Sequence, residues 1–115
     1  FDPISTALTT SSEVSLIHNN YNAVVEGTSS TDHPTGVPVV NISAGDYGWL
    51  QTKGVASVLA DETLDLGSWV TTGTSTAGSV EELDDLTTEI TDSMVGYAIV
   101  AGVDTEYRPV FLNID

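Results

Sequence analysis

The chain has 115 residues and no cysteine, which is enough for one domain with its own core and excludes disulfides, thiol nucleophiles and cysteine-based zinc sites. Its 17 carboxylates face two fixed cations, Lys53 and Arg108, for a formal net charge of −15. Because nucleic acids and anionic membranes are bound mainly through Lys and Arg, we expect neither as a partner.

The N-terminal third has little that could form a core. Residues 1–36 are rich in Ser, Thr and Asn, and their apolar runs are short, at 14–17 and 23–25. The stretch 27–36 has the composition of a loop. We therefore predict an extended N-terminal arm with two short strands over 1–36, lying on another surface, and a compact β domain over 37–115.

Short apolar runs separated by Gly, Asp and Thr predict strands through the compact domain. Pro38 suits a strand start or an edge strand, and Gly54 suits a bulge or bend. The strands are predicted at 37–42, 47–54, 55–60, 68–72, 95–101 and 107–114. Their regular spacing favours a mainly β fold, either a small β-barrel or a sandwich-like domain.

The last predicted strand is apolar on both faces. Val110, Leu112 and Ile114 share one face, and Phe111 lies on the other together with Tyr107. A terminal strand of this kind is expected to be covered on both sides, either by its own domain or by a neighbouring subunit.

One short helix is predicted from residue 79 onward. Ser79 and Glu82 fit a capping box, in which the serine caps the N3 amide and the glutamate reaches back to the cap. Apolar residues then recur at helical spacing, namely Val80, Leu83, Leu86 and Ile90.

The residues that could carry chemistry form no recognisable catalytic pattern. His18 and His33 lie in the arm, no Gly-x-Ser-x-Gly elbow is present, and neither phosphate-binding motif occurs. Carboxylates at 84, 85, 89 and 92 lack the spacing of a calcium loop and are expected on the solvated face of the predicted helix, whereas those at 61, 62 and 65 cluster around a turn and could hold a cation loosely. We therefore predict no catalytic residue, no metal site and no cofactor.

Five residues are candidates for a subunit or partner interface. The two tryptophans are expected in the core or at a subunit contact, where exposed aromatic side chains concentrate. The two cations are expected to pair with Asp or Glu, within the fold or across a subunit boundary. The candidates are Tyr47, Trp49, Lys53, Trp69 and Arg108.

The acidity itself has three interpretations. Disorder is disfavoured, because 40% of the residues are apolar and the carboxylates are dispersed. An acidic surface that binds a basic partner or cations is the second. Adaptation to very high salt is the third and is favoured by the replacement of Lys by Thr and Ser, since salt screens self-repulsion and carboxylates keep a surface hydrated. It predicts a haloarchaeal setting.

Several stretches resemble the small head decoration proteins of tailed viruses. They are 45–60, with its Tyr47-Gly48-Trp49 turn and Gly-led strand, then 66–70, 77–80, 95–100 and a closing strand. The resemblance covers about residues 37–115. It implies a β-clip or small-barrel domain that cements a capsid, often as a homotrimer, with N-terminal arms lying over the major capsid protein.

Two functions of different classes follow. The favoured one is a structural, non-enzymatic virion protein on the capsid surface, which bridges neighbouring major capsid protein subunits and acts through many weak contacts. Its acidity departs from what is expected of bacterial-virus members and points to a haloarchaeal tailed virus. The alternative is a secreted or surface-layer β domain that binds cations or glycans. An enzyme comes third.

Overall fold

A computed structural model describes residues 9–11, 19–83 and 91–114 of the chain. Within these ranges the secondary structure consists of seven strands. They are β1 (Val37–Pro38), β2 (Leu50–Gln51), β3 (Lys53–Ala60), β4 (Trp69–Thr72), β5 (Ser79–Glu82), β6 (Met94–Ala98) and β7 (Tyr107–Asn113). No helix in the described ranges is long and apolar enough to cross a membrane.

Five of the strands close into a barrel in the order β3-β5-β4-β6-β7. Strands β3 and β5 are parallel, and the other pairings around the barrel are antiparallel. The longest contact runs from Lys53 opposite Asn113 to Leu59 opposite Tyr107, which joins the third strand to the last. The mainly β, small-barrel fold predicted from the sequence is confirmed.

The core fills the barrel interior with small and branched side chains. Alternate residues of each strand point inward, because successive side chains of a strand face opposite sides. Leu64, Val70, Val110 and Leu112 have no exposed surface. The other core residues are Ala56, Val58, Ala60, Val80, Val95 and Ala98. This small core leaves the larger aromatic side chains on the outside of the barrel.

The predicted start of a helix at residues 79–82 is wrong, because these residues form β5. Val80 points into the core and is 4% exposed, while β5 pairs with β3 on one side and β4 on the other. Ser79 donates its hydroxyl hydrogen bond to the carbonyl of Thr76, so it does not cap a helix. Pairing with two barrel strands outweighs the local helix signal. Residues 84–90, the rest of that prediction, lie outside the described residues.

The first two strands are shorter than predicted and form a hairpin beside the barrel. Val37 pairs with Gln51, and Pro38 pairs with Leu50. Residues 39–49 are the loop between them, so the predicted strands at 37–42 and 47–54 keep only two residues each within this hairpin. Gly54 has a φ of 89° at the start of β3, consistent with the predicted bend there.

Part of the predicted arm lies against the barrel. The Gly27 carbonyl accepts a 2.9 Å hydrogen bond from the Gly78 amide, and the Ser30 carbonyl accepts one of 2.9 Å from the Ser93 amide. The Thr71 hydroxyl of β4 lies within hydrogen-bond distance of the Ser30 carbonyl, at 3.3 Å. Residues 23–25, predicted as a short strand, lie outside every strand, and 14–17 lie outside the described residues.

Candidate interaction surface

An apolar row crosses four strands on the outside of the barrel. Trp69 of β4 lies opposite Tyr97 of β6, and Tyr97 lies opposite Phe111 of β7. Phe111 in turn lies opposite Val55 of β3. These four residues, Trp69, Tyr97, Phe111 and Val55, are called the aromatic row below. The barrel closure and the strand register create it, since its members come from strands that are far apart in the chain.

The rings of the aromatic row contact one another directly. Tyr97 and Phe111 stack with centroids 5.2 Å apart and planes 18° from parallel. Trp69 meets Tyr97 edge-on at 5.8 Å and 81°. Both arrangements are favoured by the aromatic quadrupole. Trp69 nevertheless stays 45% exposed and Val55 55% exposed, so the row is internally packed and open to solvent at both ends.

The outer positions around the row carry one cation and no carboxylate. On β3 these positions are Lys53, Val55, Ser57 and Leu59, and on β7 they are Tyr107, Pro109, Phe111 and Asn113. Lys53 lies two residues before Val55 and faces the same way. The chain has 17 carboxylates, but none of them lies on β3 or β7, so the outer face of these two strands is free of negative side chains.

A second apolar surface lies on the hairpin loop, residues 39–49, called the hairpin tip below. Tyr47 is 103% exposed and Trp49 is 85% exposed, and Val39 and Val40 are exposed as well. Four apolar side chains in solvent on one short loop are typical of an interaction site.

The hairpin tip has internal contacts that support its shape. The Asp46 amide donates a 3.0 Å hydrogen bond to the Ser43 carbonyl, closing a turn. Ile42 packs so closely over Gly48 that any side chain at position 48 would overlap it. The tip therefore presents its aromatic side chains from a folded loop.

The base of the hairpin is fastened to the barrel next to the aromatic row. The side-chain amide of Gln51 donates hydrogen bonds of 3.0 Å to the carbonyls of Lys53 and Val55. Between this base and β3 lies a shallow groove of about 210 Å³. Its lining residues are Val37, Pro38, Val39, Gln51, Val55, Ala56 and Ser57. Gln51 thus holds the base of the hairpin beside Val55, at one end of the aromatic row.

The five predicted interface residues fall into three places. Tyr47 and Trp49 lie on the hairpin tip, while Lys53 and Trp69 lie on the outer barrel face. Arg108 points to the other side of β7 and forms an ion pair with Glu106, which confirms the predicted pairing of this cation. Its side chain packs over Gly102. The described residues include no ion-pair partner for Lys53.

Tyr97, Phe111 and Val55 were missed as interface candidates. Their apolar character is visible in the sequence, and the last strand was predicted to be covered on both faces. What the sequence lacks is the register that aligns Val55, Phe111 and Tyr97 across three strands. Residues so far apart in the chain give no local signal of a shared surface.

Several carboxylates accept hydrogen bonds from the backbone amides of loops. Asp61 accepts from the amides of Ser75 at 2.7 Å and Thr76 at 3.2 Å. Desolvation by burial acts to raise the pKa of Asp61, but the hydrogen bonds from Ser75 and Thr76 outweigh it and hold that pKa below its ordinary value. Asp61 therefore stays ionised and fixes the loop between β4 and β5.

The same use of carboxylates recurs at two other loops. Asp32 accepts from the amides of Thr28 and Ser29, at 2.8 and 3.1 Å. Glu62 accepts from the Glu82 amide at 2.8 Å, and Glu82 accepts from the Asp65 amide at 3.0 Å. Through these two hydrogen bonds, Glu62 and Glu82 attach the loop at residues 62–65 to β5. In the described ranges no three acidic or histidine side chains form a group that could hold a metal ion.

The two histidines do not meet in a site that the structure describes. His33 is exposed and lies near Tyr21, Pro34 and Ile114 around a small surface depression. His18 lies outside the described residues. No hydroxyl or carboxylate of the described part of the chain hydrogen-bonds to His33.

No family model matches this chain, and no curated protein or solved structure is significantly similar to it.

Proposed function

We propose that this protein is a structural virion component that decorates a capsid and bridges neighbouring major capsid protein subunits. The observation that carries the proposal is the hairpin tip, where Tyr47 and Trp49 stand almost fully in solvent. Tyr47 and Trp49 lie within 45–60, one of the stretches that resemble the head decoration proteins of tailed viruses. A folded loop with exposed aromatic residues suits a protein whose work is binding another protein surface.

The binding free energy expected of such a contact suits a protein that cements a capsid. A Tyr or Trp side chain buries roughly 150–250 Å² on binding, which corresponds to about 4–6 kcal/mol of gross hydrophobic stabilisation for each one. Lost freedom of the bound protein offsets much of this gain. One tip therefore binds weakly, and many copies bound to adjacent capsid subunits hold a shell firmly through their number.

The acidity is compatible with this role in concentrated salt. At about 1 M ionic strength the screening length is roughly 3 Å, so a net charge of −15 hardly opposes the approach of another acidic protein. Salts that are excluded from protein surfaces also strengthen apolar burial. An interface built on Tyr47 and Trp49 suits the haloarchaeal setting that the composition favours, and the proposed location is the capsid surface.

The arm adds a second candidate contact. Gly27 and Ser30 bond to the barrel, so a contact with the major capsid protein would involve the part of the arm before Gly27. Tyr21 and Val25 are exposed there, at 61% and 89%. Together with the hairpin tip, this gives each protomer two surfaces with which to bridge neighbouring capsid subunits.

The test is rebinding to heads from which the protein has been stripped, in multimolar salt. Trp49→Ser and Tyr47→Ser are expected to lower the bound amount at least tenfold at subsaturating concentration. Tyr107→Ser is the matched control, because Tyr107 is also exposed but lies at the end of β7 away from the hairpin. Full rebinding by both tip variants would contradict the proposal.

The alternative is a secreted or surface-layer domain that binds glycans or cations. Exposed Tyr and Trp side chains also stack on sugar rings, which keeps the glycan form of this alternative open. A glycan array and calcium-dependent melting in the same salt distinguish the two. A glycan hit that is lost in Trp49→Ser, with no rebinding to heads, would favour the alternative.

A further inference from the structure

We propose that the hairpin tip of one copy docks on the aromatic row of a second copy. The inference builds on the proposed function, for which the expected oligomer is a homotrimer, and names the two surfaces that join its copies. The tip contributes Tyr47 and Trp49, and the row contributes Trp69, Tyr97, Phe111 and Val55.

Each surface lacks a partner within one described protomer. Trp69 and Val55 are about half exposed at the two ends of the row, and Tyr47 and Trp49 are in solvent on the tip. The ring contacts of the described residues join Trp69 to Tyr97 and Tyr97 to Phe111, and none joins the row to the tip. One protomer thus carries two separate exposed apolar surfaces at the same time.

Charge selects the same pairing of surfaces. Asp46 is the one charged residue among residues 39–49, and it lies next to Tyr47. Lys53 lies beside Val55 at the edge of the row and has no ion-pair partner among the described residues. The other cation of the chain, Arg108, is already paired with Glu106. A second copy that brings Asp46 to Lys53 therefore meets a cation that the described residues of its own chain leave unpaired.

Electrostatics also disfavours other ways of bringing two copies together. Each copy has a net charge of −15, so at low ionic strength most pairs of surfaces repel each other through their carboxylates. The outer positions of β3 and β7 contain no carboxylate and one lysine. This is where an acidic second copy can approach with the least repulsion.

The proposed contact is heterologous, because each copy binds one neighbour through its hairpin tip and another through its aromatic row. Every copy then has a free tip and a free row until the assembly closes on itself. Closure after three copies gives the expected homotrimer, and failure to close gives a filament. In both cases the tips inside the assembly are covered by neighbouring copies, so the arm before Gly27, where Tyr21 and Val25 are exposed, is left for the capsid contact.

The first experiment measures self-association by sedimentation velocity over a range of protein and salt concentrations. Trp49→Ser and Trp69→Ser are each expected to weaken association about 100-fold or more, the size of effect seen when a central aromatic anchor is removed. Val103→Ser is the control, because Val103 is exposed in the loop before β7, outside both surfaces. A wild-type chain that stays monomeric, or tryptophan variants that associate like the wild type, would overturn the proposal.

The second experiment exchanges the two charges at low salt. Asp46→Lys and Lys53→Asp are each expected to weaken association about tenfold, and the double variant is expected to recover it. Single variants that behave like the wild type, or a double variant no better than the singles, would refute the Asp46–Lys53 pairing between copies.

Tryptophan fluorescence reports burial of the two surfaces directly, without relying on a variant that weakens association. The chain has two of them, one on the tip and one in the row. In Trp49→Phe the emission reports Trp69, and in Trp69→Phe it reports Trp49. Both spectra are expected to shift to the blue with rising protein concentration. A Trp69 emission that does not change as the protein associates would mean that no second copy covers the row, and it would overturn the proposal.

The outcomes separate this inference from the proposed function. Association through tip and row without rebinding to stripped heads would leave the contact standing and remove the capsid role. Rebinding to heads by a strictly monomeric chain would leave the capsid role standing and assign the tip or the row to the capsid surface.

Discussion

The rings of Tyr97 and Phe111 stack on the outside of the barrel, with centroids 5.2 Å apart and planes 18° from parallel. The two residues face each other across the antiparallel pair formed by β6 and β7. Their contact holds the middle of the aromatic row together, and it depends on the register of these two strands.

Removing either ring is expected to destabilise the fold. Tyr97→Ala and Phe111→Ala should each lower the free energy of unfolding by about 2–3 kcal/mol, because half-buried rings lose part of their apolar burial. In a double-mutant cycle the two changes should couple by about 1 kcal/mol. Chemical denaturation in high salt measures both quantities. Strict additivity would mean that the stacked contact contributes nothing of its own.

Gly96 is expected to tolerate no side chain. A Cβ at this position would overlap the carbonyl oxygen of Phe111, which belongs to the backbone of β7 and cannot swing aside. Gly96→Ala should therefore cost more than about 3 kcal/mol or prevent folding. Gly45→Ala is the comparison, since position 45 has free space and only a φ of 87°. Its cost should be about 1–2 kcal/mol. Circular dichroism melting compares the two variants.

The stability of the protein is expected to fall in acid partly through Asp61. Its pKa is lower in the folded state, so its contribution is present above the unfolded pKa of about 4 and is lost as the pH falls through the folded pKa. Asp61→Asn should cost at most about 1 kcal/mol near neutral pH. It should also flatten the pH dependence of stability below about pH 4.

Asp104→Asn is the control for Asp61. Asp104 lies in an exposed loop, and its carboxylate accepts no hydrogen bond from the described residues. Urea titrations of both variants from pH 7 down to about pH 3 measure the difference. An unchanged acid limb in Asp61→Asn would show that the amides of Ser75 and Thr76 do not depend on this carboxylate.

The ion pair between Arg108 and Glu106 is expected to matter little in concentrated salt. Both side chains are partly exposed, at 31% and 45%. Glu106→Gln should cost up to about 1 kcal/mol at low ionic strength and almost nothing in multimolar salt. The loss in Asp61→Asn should depend less on salt, because its partners are backbone amides. Parallel unfolding series at low and high salt test this contrast, and equal salt dependence would refute it.

The strand assignments show how much of the fold the local sequence pattern predicts. Residues 55–60, 68–72, 95–101 and 107–114 were predicted as strands, and strands β3, β4, β6 and β7 fall there. Apolar residues at alternate positions mark a strand whatever its neighbours are. The predicted helix failed at 79–82, because Val80 is buried between two barrel strands and no local signal reveals that pairing.

The sequence by itself determined the β character of this chain, the lack of any recognisable catalytic motif and the strong acidity. These properties follow from residue types and short-range alternation, which act within a few residues. It also identified Tyr47, Trp49, Lys53 and Trp69 as interface candidates, although not as members of two separate surfaces.

The tertiary structure alone decided which strands pair, and with them the surfaces. Barrel closure aligned Trp69, Tyr97, Phe111 and Val55 across four strands. It also turned Asp61 towards the amides of Ser75 and Thr76. Register over such distances is set by the packing of the whole core, so no stretch of the chain contains it.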